Sequence, residues 1–308
     1  LPPRIQVTVT ARHKMTTQNP RNPLRILMLH GFTQSGPLFH AKTRALEKNL
    51  QKAFPAGCTL VYPTAPIRLL PSDLTFDSAH VDPSHSNSQN AELGSSAQAL
   101  EEPDAWGWWR RKGDTEPYTY EGLEIGLEKI AQVLKEEGPF DGVIGFSQGG
   151  AAAGMVASLL EPGRREAFEK LQLESGMRYP ESFEKDTGYM TDMVHPPFKF
   201  AVSYSGFGAA STGKGELYRA FYEPKIKTPM LHILGSVDTV VEEKRSLRLV
   251  EACEKSEGRV VYHPGGHFLP SSQKQYVGAL VGFIREIVAQ VENKKKKDEN
   301  VENMDVPF

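Results

Sequence analysis

Short, continuous apolar runs alternate along the chain with longer stretches whose apolar residues recur at helical spacing. The apolar runs predict buried strands at LRILML (24–29), TLVYP (59–63), FDGVIGF (140–146), FKFAVSY (198–204), PMLHILG (229–235) and RVVYH (259–263). The helical spacing predicts helices over residues 38–54, 120–138, 148–160, 242–255 and 272–292. Strands that alternate with helices in this way indicate an α/β fold with a mainly parallel central sheet and helices on both faces.

Two long polar stretches interrupt this alternation. Residues 64–118 are rich in Pro, Ser, Asp and Asn and end in AWGWWRR, and residues 161–197 hold polar and aromatic residues around ESGMRYPESF. Long insertions in a compact α/β domain often form active-site lids or binding loops. We therefore expect one domain over residues 23–292 with two lid-like insertions, an N-terminal extension at 1–22 and a charged, disordered tail at 293–308.

Composition and charge narrow the class of protein. The 308 residues are 39% hydrophobic and 24% charged, which fits one large domain with a sizeable core. The formal net charge of −2 gives no general reason to expect a nucleic acid or an anionic membrane surface as partner. No apolar run approaches the roughly 18 residues that cross a bilayer, and the first residues lack the apolar core of a secretory signal. A cytoplasmic protein is expected, and the four lysines at 294–297 leave a nuclear location open.

The cysteines and histidines give no pattern typical of a metal site. Cys58 and Cys253 are too few for a disulfide framework, and we expect free, buried thiols in a reducing compartment. His263 and His267 are four positions apart, a spacing that binds zinc on a helix, but the intervening PGG excludes a helix there. Neither a metal nor an organic cofactor is predicted.

The segment GFSQGG (145–150) contains the pattern G-x-S-x-G. This pattern occurs by chance in many chains, but here it follows a predicted strand and precedes a predicted helix that begins with small residues. In that context the serine sits on a strained strand-to-helix turn, and the flanking glycines avoid side-chain collisions across it. The pattern therefore predicts that Ser147 is a nucleophile.

A serine hydroxyl needs a base, and in folds with this turn the partners follow in the order acid, then histidine, each after a later strand. Asp238 follows the strand PMLHILG, and His267 follows the strand RVVYH. We expect His267 to take the proton of Ser147 and return it to the leaving group. Asp238 is expected to fix the imidazole tautomer and to stabilise the imidazolium.

Other assignments of the acid and the base stay open at this point. Asp238 could cap the helix that begins near residue 242, and Glu242 or Glu243 could then serve as the acid. His263 could replace His267, although its position at a strand end favours a packed histidine.

The tetrahedral intermediate of such a reaction needs two backbone N–H donors. One is expected from Gln148, directly after the nucleophile, and the other from Phe32 in the loop LHGFTQSG after the first strand. His30 is then expected to hold this loop rather than to transfer protons. Thr33 and Gln34 could support the loop or contact substrate.

The segment GAASTGKG (208–215) matches part of a phosphate-binding loop and follows a strand. Position 215 is Gly where a magnesium-binding Ser or Thr is required. A surface loop is therefore the expectation for this segment.

Aromatic and apolar residues near the predicted site are candidates for an acyl pocket. They are Trp106, Trp108, Trp109, Phe207, Phe268 and Leu269. The alternative is that the tryptophans pack the first insertion onto the core. Arg110 and Arg111 could bind a carboxylate or phosphate, but a solvated surface role is favoured.

With these residues in place, the chain resembles an α/β-hydrolase. It is similar in particular to the fungal family of serine hydrolases, the FSH family, which includes ovarian-cancer-gene-2-like esterases. The segments that carry the resemblance are LRILMLHGFTQSGPLFHAKTRALEKNL, AWGWWRR, YEGLEIGLEKIAQVLKEEGPFDGVIGFSQGGAAAGMVASLL, FKFAVSYSGFG, TPMLHILGSVDTVV and HPGGHFLP, which together span most of residues 24–290. Acyl-protein thioesterases also have a GFSQGG turn, but the HGFTQSG entry favours the FSH family.

The resemblance implies a cytosolic or nucleocytoplasmic esterase or thioesterase that uses Ser147, Asp238 and His267. The expected substrate is a medium- or long-chain acyl ester or thioester, as a small molecule or on a carrier protein. The alternatives are a lactone or peptide hydrolase and, outside enzymes, a catalytically silent binding protein on a hydrolase frame. The Ser/Asp/His-rich stretch after YPTAPI prevents any transfer of chain-length preference from the family.

Overall fold

The computed structural model describes residues 23–74, 104–185, 192–210 and 213–304. The predicted extension 1–22, the larger part of the first insertion, part of the GAASTGKG segment and residues 305–308 lie outside the described residues.

The secondary structure follows the predicted order. The strands are β1 Leu24–Leu29, β2 Cys58–Val61, β3 Ile67–Arg68, β4 Trp106–Gly107, β5 Arg110–Lys112, β6 Thr119–Glu121, β7 Gly142–Phe146, β8 Glu184–Lys185, β9 Asp192–Met193, β10 Phe200–Tyr204, β11 Met230–Gly235 and β12 Val260–His263. The α-helices are α1 Gly36–Ala53, α2 Pro71–Leu74, α3 Leu123–Glu137, α4 Gln148–Leu159, α5 Arg164–Gln172, α6 Glu243–Glu251 and α7 Lys274–Met304. Two 3₁₀ helices span Glu181–Phe183 and Gly213–Phe221.

The six predicted strands form one central sheet in the order β12-β11-β10-β7-β1-β2. Every neighbouring pair in this sheet is parallel. After β1 the chain adds β2 on one side, and it then returns to add β7 and the later strands on the other side. This reversal creates a crevice at the carboxyl ends of β1 and β7, which is the usual place for a site in open α/β sheets.

Strand β1 shows that both faces of the sheet are buried. Ile26 and Met28 pack into a core with side chains of α1 and α7, whereas Leu27 and Leu29 pack into a core with α3 and α4. Alternate residues of a strand point to opposite faces, so a continuous apolar run is needed when both faces are covered. The predicted α/β architecture is confirmed.

Helix α4 is buried along its whole length. It packs on β7 and β10, which requires small side chains on the sheet side. A Cβ atom on Gly150 would lie 2.8 Å from Ser203 Oγ. The small-residue sequence QGGAAAG therefore lets the helix approach the sheet closely.

The described part of the first insertion is tied to α6 by ion pairs. Glu116 binds Arg245 Nε at 3.1 Å and Arg248 Nη1 at 2.9 Å. The guanidinium of Arg245 lies over the ring of Phe207, 4.3 Å from its centroid. The insertion is therefore anchored to the helix that follows the Asp238 loop.

The second insertion contains a helix, α5, that the sequence pattern did not predict. Its first residue, Arg164, is buried and pairs with Glu161 at 2.9 Å. Arg164 also donates to the carbonyl groups of Ala220 and Pro224 at 3.2 and 2.6 Å. Because an isolated buried charge is costly, this network binds the insertion firmly to the segment before β11.

Helix α7 continues beyond residue 292, where the predicted helix ends. It therefore extends into the segment 293–308, which was expected to be disordered. Within the described residues, no helix is both long and apolar enough to cross a membrane.

Both cysteines are free and buried, as predicted. Burial raises the pKa of the Cys58 and Cys253 thiols to about 12, so both are held in the unreactive thiol form.

Candidate active site

Ser147 occupies a strained turn between β7 and α4. Its backbone has φ 53° and ψ −116°, a conformation that L residues rarely adopt. The turn is fixed by the Ser147 N–H, which donates to the Tyr204 carbonyl at 2.8 Å. A Cβ on Gly145 would lie 1.9 Å from the Gly149 carbonyl oxygen, and a Cβ on Gly149 would lie 2.1 Å from that of Leu29. Both glycines of the pattern are therefore sterically required.

His267 joins Ser147 to Asp238. Its Nε2 atom lies 2.8 Å from Ser147 Oγ, and its Nδ1 atom lies 2.7 Å from Asp238 Oδ2. The aspartate follows β11 and the histidine follows β12, so the carboxyl ends of three parallel strands bring the three side chains together. This geometry fits a neutral imidazole that donates through Nδ1 to the carboxylate and accepts the serine proton at Nε2.

The environment of Asp238 keeps its carboxylate ionised. Burial opposes the charge, but the hydrogen bond from His267, the electrostatic interaction with that ring and the N–H groups of Val240 and Val241 outweigh it and hold the pKa below its usual range. These N–H groups both donate to Oδ1 at 2.9 Å, which leaves Oδ2 for His267.

The competing acids lie elsewhere. Glu242 is exposed and pairs with Lys244 at 2.6 Å, and Glu243 accepts a hydrogen bond from Tyr262. Asp238 bonds to the backbone before α6, and Glu242 holds the N-cap position of that helix. The contact with His267 therefore belongs to Asp238 among the three acids considered.

His263 is a packed residue, as its strand position indicated. It is buried against the rings of Phe268 and Tyr276, and its Nδ1 accepts the Gly265 N–H at 3.3 Å. Burial lowers the pKa of His263.

His30 holds the loop after β1, as expected. Its Nδ1 donates to the Gly31 carbonyl at 2.8 Å, and its Nε2 accepts the Ala65 N–H at 3.0 Å. Burial lowers the pKa of His30 to about 4, against a smaller opposing effect of the Gly31 hydrogen bond. The ring is therefore neutral at physiological pH, with both nitrogens in use.

The loop that contains Phe32 lies directly against the serine. A Cβ on Gly31 would be 3.3 Å from Ser147 Cβ. The Thr33 N–H donates to the Trp106 carbonyl at 3.0 Å, and the Trp106 N–H donates to the Gln34 carbonyl at 3.1 Å. Thr33 and Gln34 therefore support the loop by pairing it with the first insertion.

Gln148 contributes a side chain whose role the sequence did not indicate. Its Oε1 accepts the Trp108 N–H at 2.7 Å, and its Nε2 donates to the Trp109 carbonyl at 2.8 Å. As the first residue of α4, Gln148 also has a backbone N–H without an intrahelical acceptor. The pattern G-x-S-x-G leaves this position variable, so the sequence offered no signal for this role.

The six predicted pocket residues separate into two groups. Trp108, Trp109 and Phe207 are buried in the core, and the two tryptophans have at most 1% of their surface exposed. Such side chains have little surface to offer a ligand, and the burial of Trp108 and Trp109 favours the alternative that they pack the first insertion onto the core. Trp106, Phe268 and Leu269 are only partly buried.

The two arginines beside the tryptophans have partners within the protein. Arg110 donates to Asp73 at 3.1 Å, and Arg111 lies 4.8 Å from the centroid of the Tyr118 ring. Among the described residues, no group of three or more His, Cys, Asp or Glu side chains is arranged to hold a metal ion.

A parallel α/β sheet that presents a serine on a strained strand-to-helix turn, with an aspartate and a histidine after later strands, defines an α/β-hydrolase. The family model described as "Serine hydrolase (FSH1)" matches residues 16–279. The chain belongs to this family of serine hydrolases, which confirms the resemblance seen in the sequence.

Three relatives illustrate the match. Family of serine hydrolases 3 from Saccharomyces cerevisiae is 32% identical over 86% of this chain and 85% of its own length. Esterase OVCA2 from Danio rerio is 32% identical over 81% of this chain and 92% of its own. A Schizosaccharomyces pombe protein named Dihydrofolate reductase is 35% identical over 80% of this chain, but this chain spans only 44% of its length. That name therefore describes a much longer protein.

Proposed function

We propose that the chain hydrolyses carboxylic esters or thioesters through an acyl-enzyme intermediate. The observation that carries this proposal is the pair of contacts made by His267, 2.8 Å to Ser147 Oγ and 2.7 Å to Asp238 Oδ2. Nucleophile and base are within hydrogen-bond reach, and a third group orients the base, which is the arrangement that nucleophilic catalysis requires.

In acylation, the Oγ atom of Ser147 attacks the acyl carbonyl carbon while His267 Nε2 takes the hydroxyl proton. The carbonyl oxygen gains the electron pair of its π bond and becomes an oxyanion. The backbone N–H groups of Phe32 and Gln148 are the proposed donors to that oxyanion. The intermediate then collapses: the C=O bond re-forms, the bond to the alcohol or thiol breaks, and His267 gives its proton to the departing group.

Deacylation repeats these steps with water. His267 takes a proton from water as the oxygen attacks the acyl-serine, and it returns that proton to Ser147 Oγ when the carboxylic acid leaves. Asp238 remains ionised throughout, because its pKa is held low, and it stabilises the imidazolium formed in each half-reaction.

We propose that the acyl group of the substrate is apolar. Val237, directly before Asp238, is 62% exposed, and Leu38, in the first turn of the helix after the Phe32 loop, is 38% exposed. Apolar burial contributes about 0.8 kcal/mol per CH₂ group, so an acyl chain that covers these exposed side chains gains affinity with its length. The relative named Esterase OVCA2 supports ester substrates.

The test is turnover of three substrate sets: p-nitrophenyl esters from acetyl to dodecanoyl, acyl-CoA thioesters of the same lengths, and lactones. We expect hydrolysis of the first two sets, with kcat/KM rising with chain length, and no turnover by Ser147→Ala. A folded wild-type protein that hydrolyses none of them would instead support a binding protein on a hydrolase frame. Turnover of lactones alone would show that the protein is a lactone hydrolase and not an esterase or thioesterase.

A further inference from the structure

The two proposed oxyanion donors belong to different loops. Phe32 lies in the loop after β1, and Gln148 begins the helix after β7. Donors must lie about 2.7–3.1 Å from the position that the oxyanion will occupy, so their separation must be set before substrate arrives. Parallel strands fix where the two segments begin, but they do not fix the positions of the Phe32 and Gln148 backbone N–H groups.

Trp108 connects these two loops with two hydrogen bonds. Its indole Nε1 donates to the His30 carbonyl at 2.9 Å, and its backbone N–H donates to Gln148 Oε1 at 2.7 Å. The Trp109 carbonyl accepts from Gln148 Nε2 at 2.8 Å and closes the link on the α4 side. One residue of the first insertion thus contacts both loops. We name the set His30, Trp108 and Gln148 the bridge.

The bridge is almost fully shielded from water. His30 and Trp108 have no exposed surface, and Gln148 has 5%. The rings of His30 and Trp108 lie 5.2 Å apart, so packing reinforces the hydrogen bond. A buried carbonyl that loses its donor has no water to replace it, and the loop must shift to find another partner.

We propose that Trp108 is a positioning residue that sets the separation of the Phe32 and Gln148 N–H groups. This inference rests on the proposed function, because it concerns the oxyanion donors of that reaction. The end of the first insertion would then help to position the oxyanion donors, in addition to any contact with substrate.

The consequence is a loss that appears in the transition state and not in substrate binding. The substrate carbonyl carries little charge, so donors displaced by a fraction of an ångström change KM little. The oxyanion carries a full charge, so the same displacement reduces the stabilisation that the donors give to the transition state. Removing one donor outright costs about 10²–10³-fold in kcat, so displacement of the pair should cost about 10–100-fold.

The main variant is Trp108→Phe, which keeps an aromatic ring and removes the indole donor to His30. Tyr179→Phe is the matched control. The Tyr179 hydroxyl also donates to a buried carbonyl, that of Leu159, at 2.8 Å, but at the far end of α4. A second variant, Gln148→Met, breaks the bridge from the other side and leaves the Gln148 backbone N–H in place.

Three quantities are measured on folded protein: kcat, KM, and the inhibition constant of a trifluoromethyl ketone, which forms a tetrahedral oxyanion on the serine. We expect Trp108→Phe and Gln148→Met each to lower kcat about 10–100-fold, with KM within threefold of wild type. The inhibition constant of the ketone should rise by the same factor by which kcat/KM falls. The kcat of the double variant should be only slightly below that of the more impaired single variant, because both substitutions break the same connection between the two loops. Tyr179→Phe should match wild type in kcat and inhibition.

If Trp108→Phe keeps wild-type kcat and ketone affinity, or loses them no more than Tyr179→Phe, the bridge proposal is overturned while the proposed function stands. A rise in KM with unchanged kcat also overturns it, since Trp108 would then serve substrate binding. If wild-type protein itself neither turns over esters nor binds the ketone, the proposed function fails and the bridge proposal fails with it.

Discussion

At the scale of single residues, Asp238 shows how backbone groups prepare a side chain for its task. The two N–H groups that bind Oδ1 hold the carboxylate in one orientation, so that Oδ2 meets His267 at 2.7 Å. The same contacts lower the pKa of Asp238 against the opposing effect of burial. The residue is therefore ionised and aligned before any substrate is present.

Replacing Asp238 by Asn should separate alignment from charge. The amide can keep most hydrogen bonds, but it can donate to His267 Nδ1 and so favour the tautomer that cannot accept the serine proton. We expect kcat for p-nitrophenyl esters to fall by about 10⁴-fold, with a melting temperature close to that of wild type.

Glu242→Gln is the control for this change, because Glu242 is exposed and pairs with Lys244. It should keep wild-type kcat. Substantial activity in Asp238→Asn, or a large loss in Glu242→Gln, would show that the acid is assigned to the wrong residue.

At the scale of elements, glycines inside two helices have opposite surroundings. A Cβ on Gly126 in α3 would lie 2.1 Å from the backbone carbonyl oxygen of Trp108, the central residue of the bridge. A Cβ on Gly282 in α7 would meet no atom within 4 Å. Helix α3 therefore uses its glycine to let the insertion approach, whereas α7 has no such need at this position.

Alanine substitution should distinguish the two glycines. Gly282→Ala should raise the free energy of unfolding by about 0.5–1 kcal/mol, because alanine loses less backbone entropy in a helix. Gly126→Ala should lower it by about 1–3 kcal/mol or more through overpacking. Urea unfolding of both variants measures this, and stabilisation by Gly126→Ala would contradict the close packing of α3 on Trp108.

The elements that local pattern determines were predictable. Mainly apolar runs located all six strands of the central sheet, because strands buried on both faces hold few polar residues. Helix α5 was missed because it lies in a polar insertion, where buried Arg164 stands in for an apolar residue. The extension of α7 was missed because charge was taken to indicate disorder, although lysine and glutamate are good helix formers.

Contacts between distant segments were less accessible. The order of Ser147, Asp238 and His267 along the chain predicted their meeting, since each follows a parallel strand. No local pattern shows that Trp108 faces the core, or that the Gln148 side chain binds the insertion. Those facts depend on which segments pack together, and sequence spacing does not contain that information.

At the scale of the whole molecule, the site assembles from segments spread over most of the chain. The loops after β1, β7, β11 and β12 meet at one edge of the sheet, and the first insertion closes over the β1 and β7 loops through Trp106 and Trp108. The ion pairs of Glu116 connect that insertion to the helix after Asp238. Reactivity of Ser147 should therefore depend on the intact fold.

The central claim is that Ser147 is a nucleophile activated by His267. The most direct measurement is the reaction of native protein with a fluorophosphonate, followed by mass spectrometry of the digested protein to locate the modified residue. We expect one phosphonyl group on Ser147 Oγ with loss of fluoride, no labelling of Ser147→Ala, and none of denatured protein. Equal labelling of wild type and Ser147→Ala, or modification at another residue, would contradict the claim.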